Sequence, residues 1–257
     1  MKSLKNIRGF LFDLTGVIYE GGRAIEGAVE TIDSLKSRGI PFRFTTNTTT
    51  CSVETLHRKL IGMGLPIEPR EIFSVTQAAA RFLAGKGKPS LFLVLSEDTR
   101  KDFAGFSISD DRPDYVVLGE IGDNWSYDLL QRVFRMLLGG AELLALHKSR
   151  FWQVDGQLRL SVGAFAAALE YAAGKQAVVI GKPAPQFFQT AVSDLKLQPE
   201  HVAMVGDDIE SDVGGAQRSG MKGILVKTGK YREDLVARSK VKPDLTIESV
   251  AAIMELL

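Results

Sequence analysis

Two periods alternate along this chain. Short apolar runs read as strands, and between them lie stretches whose apolar residues recur at helical spacing. "GFLF" at 9–12 opens the series. Ile25, Ala28, Val29, Ile32 and Leu35 then share one helix face, and Gly39 supplies a left-handed stop. "IPFRFTT" at 40–46 reads as a second strand. The stretch 52–64 reads as a helix with Ser52 as N-cap and Leu56, Leu60 and Met63 inward. "SLFLVL", "DYVVLG" and "ELLALH" are strand candidates in the middle of the chain, and Ser126 is placed to cap the helix that follows it. Asp155-Gly156 divides two alternating arms, a hairpin signal. Towards the end, "AVVIG", "HVAMVGD" and "KGILVKTG" are three strands separated by the helical stretches "PAPQFFQTAVSDLKL" and "ESDVGGAQRSG".

Short continuous apolar strands with helices between them indicate an α/β protein, a doubly wound parallel sheet covered on both faces. The middle stretch carries no acidic or phosphate-binding cluster. It reads as a second α/β domain, 79–176, inserted between core halves 1–78 and 177–257. In such sheets ligands bind at the carboxyl ends of the strands. Asp13, Thr46, Asn47, Lys182, Asp207 and Asp208 all lie just past an apolar run.

Composition narrows the partners. The 257 residues are 45% hydrophobic and 25% charged, ordinary for a soluble globular chain with a sizeable core. A net charge of +1 gives no electrostatic reason to expect nucleic acid or an anionic membrane. No apolar run has bilayer length, and the first ten residues lack a signal-peptide core. Cys51 is the single cysteine, so no internal disulfide framework exists and a reducing, cytoplasmic setting is expected. The glycines of "GDDIESDVGGAQRSG" do not have nucleotide-fingerprint spacing.

Asp13 with Asp207, helped by Asp208 or Asp212, makes a hard oxygen site suited to Mg²⁺. Lys182 adds a positive charge, and the Thr46 hydroxyl and Asn47 amide add donors for a phosphoryl group. A metal-neutralised aspartate can attack phosphorus and form an acyl phosphate that water cleaves. Each piece has a blander reading. A strand-end aspartate more often caps a helix or forms a turn, Thr46-Asn47 can cap the next helix, and Lys182 can be a surface lysine before a proline-started helix. The order of all four, each at a strand end, is what argues for chemistry.

Four motifs in this order, "DLTGV" at 13–17, "TN" at 46–47, the lysine of "GKPAP" at 182 and "GDDIESD" at 206–212, resemble those of the haloacid dehalogenase-like (HAD) phosphohydrolases. The early "TN" and the long insert before the lysine resemble subfamily IIA, the NagD-like group. The resemblance implies a Rossmannoid core with an inserted C2-type cap and Mg²⁺-dependent hydrolysis of a small phosphorylated molecule. It makes Asp13 the nucleophile and a metal ligand, with the Thr15 backbone carbonyl also on the metal. Thr46 and Asn47 would orient the phosphoryl group and Lys182 would offset its charge. Asp207 would bind Mg²⁺ directly, while Asp208 and Asp212 would ligate it or hold its waters. It places Tyr19 to Gly22 in a flap beside the nucleophile, and it implies a homodimer through the cap. The region of Gly119 and a loop at Val162 to Ala164 are candidate cap positions facing the substrate, with no chemical motif behind them; a glycine there reads more readily as a turn or helix start.

One position departs from the family pattern. Most such phosphatases carry a second aspartate two residues after the nucleophile, to protonate the leaving group and deprotonate water. Thr15 is far too weak for either task, and loss of a positioned acid–base costs about 10²–10⁴-fold in rate. The substrate is therefore expected to have a leaving group that departs unaided, such as a phosphoramidate or pyrophosphate-type anhydride. The alternatives are a slow or non-catalytic phospholigand binder, and a dehalogenase; the acids of "GDDIESD" argue against the latter, because displacement at carbon needs no metal.

Overall fold

The computed structural model describes residues 6–154 and 157–256. The chain divides into two compact units. One takes the chain up to Thr46, Leu56–Ser74 and the chain from Lys182 onward; the other takes Asn47–Thr55 and Val75–Gly181.

The first unit is built on a six-stranded parallel sheet. Its spatial order is Leu245–Ile247, Lys222–Val226, Val202–Gly206, Gly9–Asp13, Phe42–Thr46 and Ile72–Ser74. Gly9–Asp13 and Val202–Gly206 are buried along their whole length, which is why both read as unbroken apolar runs. Phe12 sits opposite Phe44 on one side and Val205 on the other. Rings of Phe12, Phe42 and Phe44 pack with centroids 5.3–6.3 Å apart; burying such a side chain is worth about 1.5–3 kcal/mol. Two helices cover this sheet; of the face expected for the first, Ala28, Ile32 and Leu35 are buried, whereas Ile25 precedes the helix and, like Val29, is half-buried. Ala28–Ser37 buries Ala28, Thr31, Ile32 and Leu35, and Pro185–Leu195 starts on its proline and buries Phe187, Phe188, Ala191, Val192 and Leu195.

From its first strand the chain winds outward to Ile72–Ser74, then returns to pair on the other flank of that strand. The reversal falls between Gly9–Asp13 and Val202–Gly206, the position where an open α/β sheet leaves a crevice at its carboxyl edge. Asp13 ends one of these strands and Asp207 follows the other.

The second unit carries a four-stranded parallel sheet in the order Val178–Val179, Glu142–Ala145, Tyr115–Leu118, Leu91–Val94. Ser126 caps the helix Tyr127–Leu138, its hydroxyl accepting from Leu129 N–H at 3.2 Å. Phe151–Val154 and Gln157–Leu160 pair antiparallel, as a hairpin demands; the Asp155-Gly156 turn lies outside the described residues. Asn47–Thr55 belongs to this unit because its polar groups are spent there. Thr49 Oγ1 accepts from Glu120 N–H at 2.9 Å, and Ser52 N–H donates to Asp98 Oδ2 at 2.8 Å. Among the described residues, no helix is long and apolar enough to cross a membrane.

Three expectations are corrected. Val178–Val179, assigned from sequence to the core half that starts at 177, is the edge strand of the second sheet. The divisions observed at 74/75 and 181/182 accordingly differ from 78/79 and 176/177, since an apolar dipeptide pairs equally well in either sheet. Val162 to Ala164, expected as a loop, is the first turn of the helix Val162–Ala173. Met63 lies beyond the end of Val53–Gly62 and is half-buried, whereas Leu56 and Leu60 are buried as expected.

Candidate functional site

The carboxyl edge of the first sheet gathers groups that are far apart in sequence. Asp13, Lys182, Asp207 and Asp212 are all buried. Lys182 Nζ lies 2.6 Å from Asp13 Oδ1 and 2.8 Å from Asp212 Oδ1. One carboxylate oxygen from each of Asp13, Asp207 and Asp212 lies within 4.8 Å of the others.

Local sequence explains how each group arrives. Asp13 is delivered by its strand. Lys182 precedes the proline-started helix Pro185–Leu195. Asp212 is set by an unusual turn: Ile209–Gly214 is π-helical, with Val213 N–H donating to the Asp208 carbonyl at 3.3 Å. Asp208 caps that turn, its Oδ1 accepting from Glu210 and Ser211 N–H at 3.1 and 2.9 Å. The two acids left as alternatives are placed differently. Asp212 joins the three-carboxylate cluster, and Asp208 holds the turn that brings it there. Asp208 N–H also donates to Asp212 Oδ2 at 3.2 Å.

Asp207 is held from the other side. Its Oδ2 accepts Lys230 N–H at 2.7 Å, and Gly16 and Gly229 close around it with φ of +85° and +63°. A Cβ at either glycine would overlap Asp207 Oδ2, so both positions need a residue without a side chain. Sequence reading missed this second loop, Thr228 to Lys230; its only signal was a glycine beyond a strand.

Electrostatics fit the packing. Burial, then the neighbouring charges of Asp13 and Asp212, push Asp207 up to about 7. Asp212 is pushed up to about 6, by burial and by Asp13 and Asp208, against the pull of Lys182. Burial would lower Lys182, yet Asp13 and Asp212 hold it above the usual lysine range. Fully ionised, the three clustered carboxylates with Lys182 leave two negative charges uncompensated in a buried place, which is costly. Asp207 Oδ1 is also buried with no hydrogen-bond partner. A divalent cation answers both: these hard oxygen donors suit Mg²⁺, and one such ion balances the excess.

The remaining expected residues are placed as follows. Thr15 is exposed, and its hydroxyl donates to Tyr19 Oη at 3.1 Å. Tyr19–Glu20 pairs with Arg23–Ala24 across Gly21-Gly22, a small hairpin that follows Asp13 in the chain. Thr46 is buried at the end of its strand, and Asn47 begins the other unit, where a Cβ on Gly181 would sit 2.5 Å from Asn47 Oδ1. The Gly119 position is confined by Leu95, Leu146 and Thr49, a packing reason for glycine there. The histidines set aside as structural behave so: His57 Nε2 bonds the Ile67 carbonyl at 3.1 Å and His201 Nδ1 the Asn6 carbonyl at 3.0 Å.

Comparisons with known proteins point to one family. Residues 10–108 match the family model for haloacid dehalogenase-like hydrolases, and residues 179–253 match a HAD-hydrolase-like model. The chain is 38% identical to phospholysine phosphohistidine inorganic pyrophosphate phosphatase of Danio rerio, over 100% of this chain and 96% of that one. It is 39% identical to haloacid dehalogenase-like hydrolase domain-containing protein 2 of Bos taurus, over 97% and 95%. Among solved structures, 4-nitrophenylphosphatase of Thermotoga maritima superposes with a TM-score of 0.92 at 26% identity, covering 98% of each chain.

Proposed function

Because this chain belongs to the haloacid dehalogenase-like hydrolase family and is a phosphatase within it, we propose that it hydrolyses a small phosphorylated molecule through an aspartyl phosphate on Asp13, with Mg²⁺, and that its preferred leaving group departs without a proton from the enzyme. The observation that carries this reading is the buried cluster of Asp13, Asp207 and Asp212 with Lys182 among them.

Asp13, Asp207 and Asp212 would hold the ion, with the Thr15 carbonyl as a further ligand and Asp208 supporting Asp212. When bound, Mg²⁺ supplies charge neutralisation of the carboxylates and Lewis-acid polarisation of a phosphoryl oxygen. An oxygen of Asp13 attacks phosphorus, the bond to the leaving group breaks, and its electron pair departs with that group. Lys182 offsets charge on the transferred phosphoryl group, and Thr46 and Asn47 donate hydrogen bonds to it. Water then attacks the aspartyl phosphate, releasing phosphate and restoring Asp13. Burial of the cluster keeps these interactions strong, since charges act over a lower local dielectric than in water.

Thr15 determines which substrates suit such a site. Its hydroxyl is committed to Tyr19 and neither donates nor takes a proton readily near neutral pH. Donors whose leaving group needs little help, with P–N or P–O–P bonds, are favoured over alkyl monoesters. The Danio rerio relative is named for such donors.

The test is a turnover screen with Mg²⁺ across p-nitrophenyl phosphate, an alkyl phosphate, pyrophosphate, phospholysine and phosphohistidine, with Asp13→Asn as the blank. Activity is expected to vanish in the blank and on chelation with EDTA, and to be greatest on P–N or P–O–P donors. Turnover that survives Asp13→Asn removes the covalent route, and equal rates on alkyl monoesters remove the leaving-group argument.

A further inference from the structure

The loop after strand Lys222–Val226 lies outside the family motifs, yet it is fastened to the residues that carry them. Lys230 N–H donates to Asp207 Oδ2 at 2.7 Å, Thr228 Oγ1 donates to the Gly16 carbonyl at 2.5 Å, and Gly229 lies against Gly16. Three basic side chains project from this segment, and their partners differ. Lys227 pairs with Glu248 at 2.6 Å and Arg232 with Asp234 at 3.1 Å. Lys230 Nζ stands 4.0 Å from Asp208 Oδ2, with its side chain 69% exposed. Its backbone is fixed on a carboxylate of the cluster, while its side chain is largely exposed and within electrostatic reach of Asp13, Asp207, Asp208 and Asp212.

We propose that Lys230 is a specificity-determining residue, the core's subsite for an anionic leaving group, which directs the enzyme to pyrophosphate-type donors over N-phosphoryl amines. The inference rests on the phosphohydrolase reading above. Charge supports it. Asp13, Asp207, Asp208 and Asp212 set against Lys182 and Lys230 leave two negative charges, which one divalent cation cancels. Lys182 is engaged by two buried carboxylates at 2.6 and 2.8 Å, whereas among the described residues the ion pair of Lys230 is the long approach to Asp208 at 4.0 Å. An incoming donor with a second phosphate finds in Lys230 a cation it need not take from a close partner.

The chemistry matches the absence of an acid at position 15. An Asp13 oxygen bonds to one phosphorus of singly protonated pyrophosphate, and the bridging P–O bond breaks. Its electron pair leaves on hydrogen phosphate, which keeps the proton the donor already carried. Water then converts the aspartyl phosphate to dihydrogen phosphate and free carboxylate. No protein group supplies a proton in the first step; a fixed ammonium beside the departing phosphate stabilises its growing charge instead. An N-phosphoryl amine is handled worse, because its nitrogen must already carry a proton and positive charge when the P–N bond breaks and its electron pair goes to nitrogen, and a neighbouring ammonium opposes that protonated form.

The experiment compares wild type, Lys230→Ala and Lys230→Arg, all retaining the backbone N–H on Asp207. The readout is the ratio of kcat/KM for pyrophosphate to that for p-nitrophenyl phosphate, whose leaving oxygen carries one delocalised charge. Lys230→Ala is expected to lower this ratio about 10- to 100-fold, the worth of one charge-assisted hydrogen bond, and Lys230→Arg to restore most of it. Calorimetry with Mg²⁺ on Asp13→Asn is expected to show pyrophosphate binding at least about tenfold weaker when Lys230→Ala is added. A ratio that does not move, an equal fall for phospholysine, or a wild type that cleaves p-nitrophenyl phosphate but not pyrophosphate overturns the proposal. Failure of the phosphohydrolase reading looks different: no donor is turned over, and the binding measurement then still decides the role of Lys230.

Discussion

Thr15 stands two residues beyond Asp13 and spends its hydroxyl on Tyr19 Oη. Because the position is exposed, an aspartate can be placed there without burying a new charge. Thr15→Asp is therefore expected to raise kcat on an alkyl phosphate, by roughly 10²-fold where protonation of the leaving group limits the rate, and to change pyrophosphate turnover much less. Steady-state kinetics on both substrates checks this, and an unaltered alkyl phosphate rate in a folded variant sinks the idea that position 15 limits the chemistry. At this scale much was readable in the sequence. An acid directly after an apolar run of the core sits at that sheet's edge, which places Asp13 and Asp207; Lys182 follows Val178–Val179, a strand of the other sheet, so the run before it does not account for its place in the cluster. The choice between Asp208 and Asp212 was not readable, because it depends on the width of one turn. With the Asp208 carbonyl accepting from both Asp212 and Val213, the turn opens from α towards π and swings Asp212 onto Lys182. Lys230 was hidden for another reason: its tie to Asp207 is made by backbone, and backbone leaves no mark in residue type.

The π-turn reaches the site only because the strands beside it are stripped of side chains where it crosses them. A Cβ on Gly223 would sit 2.6 Å from Val213 Cγ1 and 3.1 Å from the Val213 carbonyl, and a Cβ on Gly206 would overlap Asp212 itself. Val213, Ile209 and Leu225 form a small apolar cluster that locks turn to strand. Gly223→Ala is expected to destabilise by about 1–3 kcal/mol through overpacking and to weaken Mg²⁺ affinity as Asp212 is displaced. Denaturant unfolding and metal titration measure the two effects, and an Ala variant of wild-type stability and affinity shows that this contact does not position Asp212. Elements themselves followed the hydrophobic pattern closely where runs were long, as in Gly9–Asp13, Val202–Gly206 and the helix Tyr127–Leu138 with its Ser126 cap. Short apolar runs carried no address: Val178–Val179 looks the same whichever sheet it joins. The helix Val162–Ala173 was read no further than a turn or helix start at its glycine, although its alanines and Gly174, the latter at φ 62°, were a fair signal of helix and stop.

For the whole molecule, the buried cluster makes stability depend on pH and on metal together. Asp207, pushed up to about 7 by burial and by Asp13 and Asp212, and Asp212, pushed up to about 6, hold protons in the folded chain that the unfolded chain has already released above about pH 4. Between those limits the folded state binds more protons, so metal-free stability must fall as pH rises from about 4 to about 7, and the loss is complete above that window. Lowered carboxylates act in the opposite sense and elsewhere. Asp98, held down by Lys101 and by Ser52 N–H, contributes stability that is present above pH 4 and lost only in stronger acid. A divalent cation held by the ionised carboxylates, as proposed above, should add little at pH 5 and most above pH 7, where it would replace the missing protons. Thermal unfolding in EDTA is expected to show Tm declining by several degrees from pH 5 to 7.5, at about 2–4 °C per kcal/mol for a chain of this size, and Mg²⁺ should flatten the decline. Asp207→Asn should make it shallower too, by removing one of the two groups that titrate, while also removing the response to Mg²⁺. A metal-free Tm that climbs steadily across this range, with Asp207→Asn indistinguishable from wild type, would mean that the three carboxylates are not jointly buried around a common point, and both the metal and the nucleophile assignments would lose their footing.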